Sequence, residues 1–460
     1  MRIRPTKEQF NKQLEQMVQS LRSDIIDGQL QPGDWLPPEK ELVKRFGMSN
    51  NSIRVGLEQL VQEGWIEKIA RVGNRVAAGR PPVKLKLITT QLTYRNIKLG
   101  TLLDMFQRKY PWITVEAKVS RSNDDFYDAQ TDTIPGDMIL QDSSQYWQLE
   151  DRGFTKQLKE LDVKPELFPS ASELFRQDGR QLMQPIIFSP VVLCYNRAHF
   201  QECGLLEPDG SWTWNDLIRH AELLSDGRNR YGFCFHVPTE NRWPVFLLQS
   251  LERFEWDEGK LRDLRGSRLL ESMKICKSII HNRKAFPLYL SESNDDIDRM
   301  FMEGKVSMTL NSYIGLNGWS ESTVEYDISP VPFIKELRTL VIALGAGISA
   351  TSANPEEAQL LLDFLTSSVA QQHIKSHTMS IPSLGTLPPS IEPPSVYRPS
   401  RYTMYREVMA SLRTVADLNI PYRLMRPLTN QLKVYWADLI DEEELCDRLI
   451  EVMSEAHALP

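Results

Sequence analysis

The stretch Phe46–Leu60, FGMSNNSIRVGLEQL, places apolar residues at the spacing of one helix face. The apolar members are Ile53, Leu57, Leu60 and the following Val61. This period predicts an amphipathic helix whose apolar side packs on a core. Ser49 is a suitable N-cap, so the amides of Asn50 and Asn51 are expected in the first turn. A solvated first turn without a partner is the alternative for this fragment taken alone.

Two further helices precede this one, and a hairpin follows it. A helical apolar stripe covers residues 10–26 and ends before Gly28. Pro38 opens a second helix, PEKELVKRFG, which Gly47 ends. The runs WIEKIA and NRVAA predict a hairpin around Arg71 to Asn74. Residues 1–78 are therefore expected to form a mainly α winged helix-turn-helix.

These residues resemble the DNA-binding domain of GntR-type bacterial transcription regulators. The motif GxLxPGxxLPxExxLxxxxGxSxxxxRxxLxxLxxEGxI matches from Gly28 to Ile66 with fixed spacing. The resemblance implies a set of DNA contacts on the second helix, the third helix and the wing: Lys40, Ser49, Asn50, Asn51, Ser52, Arg54, Arg71, Gly73 and Asn74. Cations there can neutralise phosphates, and an asparagine can pair with an adenine edge.

Two details of this resemblance affect the expected DNA contacts. Many relatives have arginine where this chain has Asn50, so the operator is expected to differ from the common family pattern. For Arg54, a surface salt bridge without DNA is the alternative.

Charge is distributed unevenly along the chain. Residues 1–80 hold 13 Lys and Arg against 10 Asp and Glu, whereas the remainder holds 41 against 51. A basic head followed by an acidic body predicts that only the head meets a polyanion. With 460 residues the chain is too long for one ordinary core, and two or three domains are expected.

The sequence also predicts the compartment. The N-terminus lacks the apolar core of a signal peptide, and no window holds about 18 uncharged apolar residues. A cytoplasmic protein with no membrane partner is expected. Five cysteines without a CxxC pair predict reduced, mostly buried thiols rather than a disulfide framework.

Beyond a linker at residues 79–84, strands alternate with helices. VKLKLIT, ITVEAKV and DMILQ have the composition of strands, and helical patterns separate them. This alternation predicts an α/β domain with parallel strands over residues 85–460.

Residues 85–460 resemble the extracellular solute-binding proteins that serve sugar importers. The blocks LLDMFQRKYPWITVEAKV, GDMILQ with its following helix, VVLCYNRAHFQECGL with WTWNDLIRHAELL, and MFMEGKVSMTL occur in the family's order. The resemblance implies a two-lobed fold of the periplasmic-binding-protein type (type II), which closes on a ligand like a hinged clamp. Its lobes are expected at about 85–192 plus 305–350 and at 193–304 plus 351–460.

Ligand contacts in such a fold are expected from loops at strand ends. The candidates combine flat rings, which can cover a sugar ring, with carboxylates and amides, which can bind its hydroxyls. They are Asp142, Tyr146, Trp147, Glu240, Asn241, Trp243, Asn311, Tyr313 and Trp319. Trp243 and Tyr313 are the strongest individual candidates. Packing of each ring inside a lobe is the alternative.

The expected function is a DNA-binding transcription regulator without enzymatic activity. Its operator affinity is expected to depend on a sugar or oligosaccharide, and a homodimeric repressor is the expected form. No cofactor, metal or catalytic residue is expected: His373 and His377 are spaced as a helical metal pair, but no third ligand stands out. The alternative is a GntR-type regulator whose C-terminal domain resembles aminotransferases and binds pyridoxal phosphate.

Overall fold

The computed structural model describes residues 7–26, 28–79, 81–120, 133–289, 291–320, 322–388 and 395–458. The chain divides into two compact units. The first contains Met1–Lys86 and Leu103–Glu116, and the second contains Leu87–Leu102 and Ala117–Pro460.

The first unit begins with three helices and a hairpin. They are α1 Lys7–Ile26, α2 Glu39–Phe46, α3 Asn50–Gln62, β1 Ile66–Ile69 and β2 Gly73–Val76. Gly47 ends α2 in the left-handed conformation with φ 67°, which glycine adopts without strain. The three helices and the wing predicted from the sequence are therefore confirmed.

The apolar stripes of the helices meet in one small core. Met17 and Leu21 of α1, Leu42 of α2, and Ile53 and Leu60 of α3 are buried there. Helices α1 and α3 approach closely at Gly56, where an added Cβ would overlap the side chain of Met17.

Residues 103–116 contribute aromatic side chains to the same unit. The Trp112 ring lies edge-on to Trp65, with ring centroids 5.4 Å apart. The Tyr110 ring lies edge-on to Trp112 at 5.6 Å. The backbone N–H of Val83 donates to the carbonyl oxygen of Trp112 over 2.8 Å. This first unit therefore extends past the predicted boundary at residue 78.

The wing is the antiparallel pair β1–β2, and the segment before α2 hydrogen-bonds to it. Ile66 pairs with Val76, and Ile69 pairs with Gly73. Leu36 N–H donates to the Asn74 carbonyl oxygen over 2.9 Å, which ties the segment before α2 to the wing. Gly73 was expected in the turn, but it begins β2.

The remaining strands and helices follow in chain order. The strands are β3 Val83–Thr90, β4 Ile113–Ser120, β5 Met138–Asp142, β6 Arg176–Gln177, β7 Arg180–Gln181, β8 Gln184–Asn196, β9 Tyr231–Cys234, β10 Trp256–Asp257, β11 Lys260–Leu261, β12 Val306–Ser312, β13 Tyr326–Ser329, β14 Thr339–Ile348, β15 Ile381–Pro382 and β16 Leu412–Arg413. The helices are α4 Gln91–Asn96, α5 Leu99–Lys109, α6 Ser143–Asp151, α7 Pro169–Ser172, α8 Arg197–Glu202, α9 Trp214–Leu224, α10 Pro244–Gln249, α11 Arg268–His281, α12 Asn294–Met302, α13 Pro355–Thr366, α14 Ser368–His377, α15 Met425–Trp436 and α16 Glu442–Ala458.

One long mixed sheet organises these elements, with the strand order β4-β3-β5-β14-β8-β12-β9. Strand β8, QPIIFSPVVLCYN, is buried along its whole length, as expected for a central strand with a continuous apolar run. Strands β3 and β5 are parallel, as predicted, and so are β12 and β9. The pairs β5–β14, β14–β8 and β8–β12 are antiparallel, so the sheet combines the predicted parallel pairs with antiparallel ones.

Strand β8 divides this arrangement into two lobes. Its first half pairs with β14, which also pairs with β5, and this group defines lobe I. Its second half pairs with β12 and β13, and with β9 beyond β12 this group defines lobe II.

The predicted lobe boundaries need correction at two places. Strand β12 lies in lobe II, although residues 305–350 were assigned to the other lobe. Helix α13 packs on β14 and on β8, and α14 packs on β15, so this segment does not belong with residues 193–304. Helices α15 and α16 pack with α11 and β11. The lobe to which β12, α13 and α14 belong cannot be read from their order in the sequence, because it depends on contacts between residues far apart in the chain.

Two smaller predictions concern cysteines and membranes. All five cysteines are free thiols, and only Cys203 is partly exposed, as predicted.

Among the described residues, no helix is both long and apolar enough to cross a bilayer.

Candidate functional site

The first candidate surface lies at the start of α3. The Ser49 hydroxyl oxygen accepts a hydrogen bond from the Ser52 backbone N–H over 3.2 Å, and the two hydroxyl oxygens are 2.7 Å apart. These two serines therefore cap the helix. Asn50 and Asn51 are exposed in the first turn, as the sequence predicted. Their amides are free to approach the edges of bases.

Arg54 projects from the next turn of the same helix. Its Nε donates to Glu39 Oε2 over 2.9 Å, and 65% of the arginine side chain is exposed. The salt bridge considered from the sequence is therefore present. An exposed pair of this kind is worth little, so a phosphate could displace the carboxylate. Lys40 is exposed beside Glu39 and adds a second cation to this face.

The wing tip supplies the third part of this surface. Arg71 is exposed and has a left-handed backbone with φ 66°. Val72 beside it is 66% exposed. Gly73 is exposed and Asn74 half-buried at the start of β2. All nine residues predicted to contact DNA are thus at least partly exposed, which a contact role requires.

A cavity of about 170 Å³ lies between the lobes of the second unit. Lobe I lines it with Thr93 and Asn96 of α4, which packs on β5, and with Asp142 at the end of β5. Lobe II lines it mainly with polar side chains from α12, β12 and the segment before α10: Asn241, Arg242, Asn294, Asp295, Asp298, Asn311 and Ser312. We call this space the effector cavity.

Arg242 is fixed in the wall of the effector cavity and is only 3% exposed. Its Nε donates to the Leu310 carbonyl oxygen over 3.0 Å, and its Nη1 donates to the Asn241 carbonyl oxygen over 3.0 Å. Its Nη2 donates to Asn311 Oδ1 over 3.0 Å. The guanidinium thereby fixes which way the Asn311 amide faces.

Asp298 completes this network. Asn311 Nδ2 donates to Asp298 Oδ1 over 3.1 Å. Burial raises the pKa of Asp298 to about 6, against the opposing attraction of the Arg242 guanidinium. Gly315 lines the same wall, and an added Cβ there would overlap Asn311 Oδ1. The three side chains form a rigid polar surface that can accept and donate hydrogen bonds to neighbouring hydroxyl groups.

Asp142 has a structural task as well as a place in the effector cavity. Its Oδ1 accepts from the backbone N–H groups of Ser144 and Gln145 over 2.9 and 3.0 Å and caps α6. Burial raises the pKa of Asp142, and these hydrogen bonds oppose the shift. The capping bonds all use Oδ1, so Oδ2 is the oxygen available to a ligand.

Of the nine side chains predicted to bind ligand, Asp142, Asn241 and Asn311 line the effector cavity. Four aromatic candidates do not line it and are instead almost completely buried: Tyr146, Trp243, Tyr313 and Trp319. The Trp243 ring packs edge-on to Trp436 at 5.9 Å, and the Tyr313 hydroxyl donates to the Tyr402 carbonyl oxygen over 2.9 Å. These four rings therefore pack inside a lobe, which was the alternative considered from the sequence.

Trp147 and Glu240 lie at a separate place, where both contact Tyr422. The Tyr422 hydroxyl donates to Glu240 Oε2 over 2.8 Å, and the Trp147 and Tyr422 rings are 5.5 Å apart. Trp147 and Tyr422 line a depression of about 450 Å³ that is distinct from the effector cavity.

Sequence reasoning missed Arg242 and Asp298. Both are charged residues next to apolar ones that the fold buries: Arg242 stands beside Trp243, and Asp298 stands between Ile297 and Phe301 on α12. The available signal was a charged residue directly beside apolar ones, within α12 for Asp298 and just before α10 for Arg242.

His373 and His377, the pair with metal-ligand spacing, lie side by side on α14. Their rings stack with centroids 4.1 Å apart, and His377 Nδ1 lies 2.9 Å from the His373 carbonyl oxygen. Within the described ranges no group of three or more potential metal ligands occurs.

Comparison with known proteins agrees with both parts of this description. Residues 101–394 match the model of the bacterial extracellular solute-binding protein family, and residues 13–76 match that of the bacterial regulatory proteins of the gntR family. An ABC substrate-binding protein from Listeria monocytogenes, solved with cycloalternan, is similar in fold. Its TM-score is 0.68 at 19% identity, and the match covers 81% of this chain and 98% of that one.

Two curated relatives match separate parts of the chain. The arabinose metabolism transcriptional repressor of Geobacillus stearothermophilus is 36% identical over 81 residues, which are 17% of this chain and 22% of that protein. A putative binding protein of Brucella abortus is 26% identical over 209 residues, 44% of this chain and 49% of that protein. The chain thus spans between about a fifth and a half of the length of these relatives.

The match over residues 101–394 also decides between the two C-terminal domains considered from the sequence. It supports the solute-binding fold, and an aminotransferase-like domain with pyridoxal phosphate is not supported. The chain belongs to the bacterial extracellular solute-binding protein family and carries, at residues 13–76, a helix-turn-helix domain of the gntR family.

Proposed function

We propose that this protein is a DNA-binding transcription regulator whose operator affinity is controlled by a carbohydrate bound in the effector cavity. The observation that carries the proposal is the fixed polar network of Arg242, Asn311 and Asp298 in a cavity between two lobes. Such a network supports recognition of a ligand with several hydroxyl groups. The sugar-bound fold relative supports the same ligand class.

The size and lining of the effector cavity favour a single sugar ring over an oligosaccharide. Its volume of about 170 Å³ is below the usual range of small-molecule pockets. Apolar contact comes from aliphatic side chains such as Leu92, Ile187 and Leu344. Among the described lining residues there is no aromatic ring, so stacking on a flat face does not contribute.

Control of DNA binding requires a difference in effector affinity between two states of the protein. A sugar that binds one state more tightly shifts the population toward that state, and the coupling free energy is typically about 1–3 kcal/mol. We infer that the sugar releases the protein from its operator, as for a repressor. The similarity of the first unit to a repressor of arabinose metabolism supports this direction.

We further propose that the protein works in the cytoplasm as a homodimer. One winged helix contacts few base pairs, and two heads on half-sites about one DNA turn apart raise affinity strongly. The exposed residues of the first two turns of α3, Asn50, Asn51 and Arg54, support base and phosphate contacts in each half-site.

The test uses the full-length protein and a panel of mono- and oligosaccharides. Thermal shift identifies a binding sugar, and titration of a duplex selected from a randomised pool then measures DNA affinity with and without it. Asn311→Ala is expected to abolish the sugar response, whereas Lys335→Ala, at an exposed site outside the cavity, is expected to retain it. A full sugar response in Asn311→Ala would reject the effector cavity as the sensing site.

A further inference from the structure

A second depression, of about 380 Å³, adjoins the effector cavity. Arg95, Asn96 and Gly318 line both spaces, so a ligand can extend from one into the other. An added Cβ at Gly318 would meet no atom within 4 Å, so protein atoms do not fill the space beside this shared residue. We call the second space the outer pocket.

The two spaces differ in charge. The effector cavity has three carboxylates in its lining, Asp142, Asp295 and Asp298. The described lining of the outer pocket has no carboxylate, but it has Arg95, Lys98 and His377. Arg95 and Lys98 are both exposed, and within the described part of the chain neither has an ion-pair partner. Among the described lining residues, a ligand that spans both spaces therefore meets carboxylates only in the effector cavity, and at its outer end it meets only cationic and neutral side chains.

The start of a helix adds to this positive potential. Helix α5 begins at Leu99, and Gly100 and Thr101 in its first turn line the outer pocket. The N-terminal end of a helix carries partial positive charge and exposed N–H groups, and it favours anions. Gly100 also lets Tyr94 approach, since an added Cβ would lie 2.7 Å from the Tyr94 hydroxyl oxygen.

Asn96 provides an independent sign of a ligand site where the two spaces meet. The residue is only 7% exposed and lines both spaces. Its backbone carbonyl oxygen accepts from the Ser380 hydroxyl over 3.0 Å, but its side-chain amide has no hydrogen-bond partner among the described residues. The amide is therefore available to a ligand in either space. A ligand that passes from the effector cavity to the outer pocket would supply one.

We propose that the effector is an anionic sugar, whose ring occupies the effector cavity and whose phosphate or carboxylate group binds in the outer pocket. Arg95, Lys98 and the first turn of α5 bind the anionic group, and the Asn96 amide hydrogen-bonds to the ligand where the two spaces join. This inference rests on the proposed function for the ring, whereas the anion site stands on its own residues.

The first experiment uses inorganic phosphate and the full-length protein at constant ionic strength. Phosphate is expected to raise the melting temperature of the wild type. The double variant Arg95→Gln with Lys98→Gln is expected to lose this shift. The matched control replaces two exposed lysines elsewhere, Lys159→Gln with Lys335→Gln, and is expected to keep it. An equal shift in both double variants would mean that phosphate binds elsewhere, and it would overturn the proposal.

The second experiment identifies the anionic group by calorimetry. Glucose, galactose and mannose are each compared with their 6-phosphates and their uronates. The wild type is expected to bind one anionic form at least tenfold more tightly than the neutral sugar, and the Arg95→Gln, Lys98→Gln variant should lose that preference. Preference for the phosphate or for the uronate distinguishes the two chemistries.

The two proposals fail separately. If a neutral sugar binds as tightly as both of its anionic forms and still controls DNA binding, the anionic effector is wrong and the proposed function stands. If no sugar binds but the phosphate shift depends on Arg95 and Lys98, the anion site stands and the sugar effector is wrong.

Discussion

Arg242 Nη2 and Asn311 Oδ1 are joined by a hydrogen bond of 3.0 Å, and this bond orients the wall of the effector cavity. With its oxygen held by the guanidinium, the Asn311 amide must present its Nδ2 group to Asp298. The two residues are 69 positions apart in the chain, so the orientation depends on how the segment before α10 lies against β12. A cavity with a fixed pattern of donors and acceptors selects ligands by hydroxyl geometry.

The first prediction concerns the pH dependence of effector binding. Burial raises the pKa of Asp298 to about 6, so below that pH the carboxyl group is protonated. If the sugar donates a hydroxyl to the carboxylate, its affinity rises as the pH increases through about 6 and levels off above it. Calorimetric titrations from pH 5 to pH 8 test this in wild type and in Asp298→Asn, whose profile is expected to be weak and flat.

The same shift affects stability with the opposite sign. The folded-state pKa of Asp298 lies above the ordinary aspartate value of 3.8, so the folded protein binds this proton more tightly than the unfolded chain. The contribution of Asp298 to stability is therefore present at low pH and is lost as the pH rises toward about 6. A pH dependence of binding that Asp298→Asn retains would assign it to another group, such as His236, which lies near Arg242.

The second prediction concerns the close contact at Gly315. In Gly315→Ala the added Cβ overlaps Asn311 Oδ1 and displaces the amide from Arg242. Leaving these buried groups unsatisfied costs about 1–3 kcal/mol. A lowered melting temperature and a lost sugar response are expected.

The matched control is Gly210→Ala, where the added Cβ lies 3.7 Å from Pro330, an ordinary contact. Its melting temperature and sugar response should match those of the wild type. Wild-type sugar binding by Gly315→Ala would remove Asn311 from the recognition surface.

The third prediction separates Trp243 from its neighbour Asn241. Trp243 is buried against Trp436, so Trp243→Ala creates a large cavity in lobe II and is expected to destabilise the fold by about 3–5 kcal/mol. Asn241→Ala, at a residue that lines the effector cavity, should weaken sugar binding with little loss of stability. Urea denaturation and calorimetry on both variants test the contrast. If the Trp243→Ala protein is stable but fails to bind sugar, the prediction is wrong and Trp243 takes part in sugar binding.

The fourth prediction concerns the ion pair between Arg54 and Glu39. Arg54→Ala is expected to weaken binding to the selected duplex and to reduce the slope of log affinity against log salt by about 1, as for one lost phosphate contact. Glu39→Gln frees the guanidinium and is expected to bind DNA at least as tightly as the wild type. Fluorescence anisotropy at several salt concentrations measures both, and an unchanged slope in Arg54→Ala would exclude the phosphate contact.

The first unit could be predicted in detail from sequence because its signals are local. Ser49 caps α3, Gly47 ends α2 and Ile53 faces the core, and each of these outcomes depends on neighbours within a few residues. The one local error, Gly73 at the start of β2 instead of in the turn, is a shift within the same hairpin.

The sequence by itself determined that a capped, basic helix-turn-helix precedes a larger α/β domain, because helical period, capping residues and strand composition act over short distances. Only the tertiary structure decided which side chains line the effector cavity. Trp243 and Arg242 are adjacent in the chain, yet one packs against Trp436 and the other faces Asn311. Which direction each points depends on helices and strands tens to hundreds of residues away, and no local pattern contains that information.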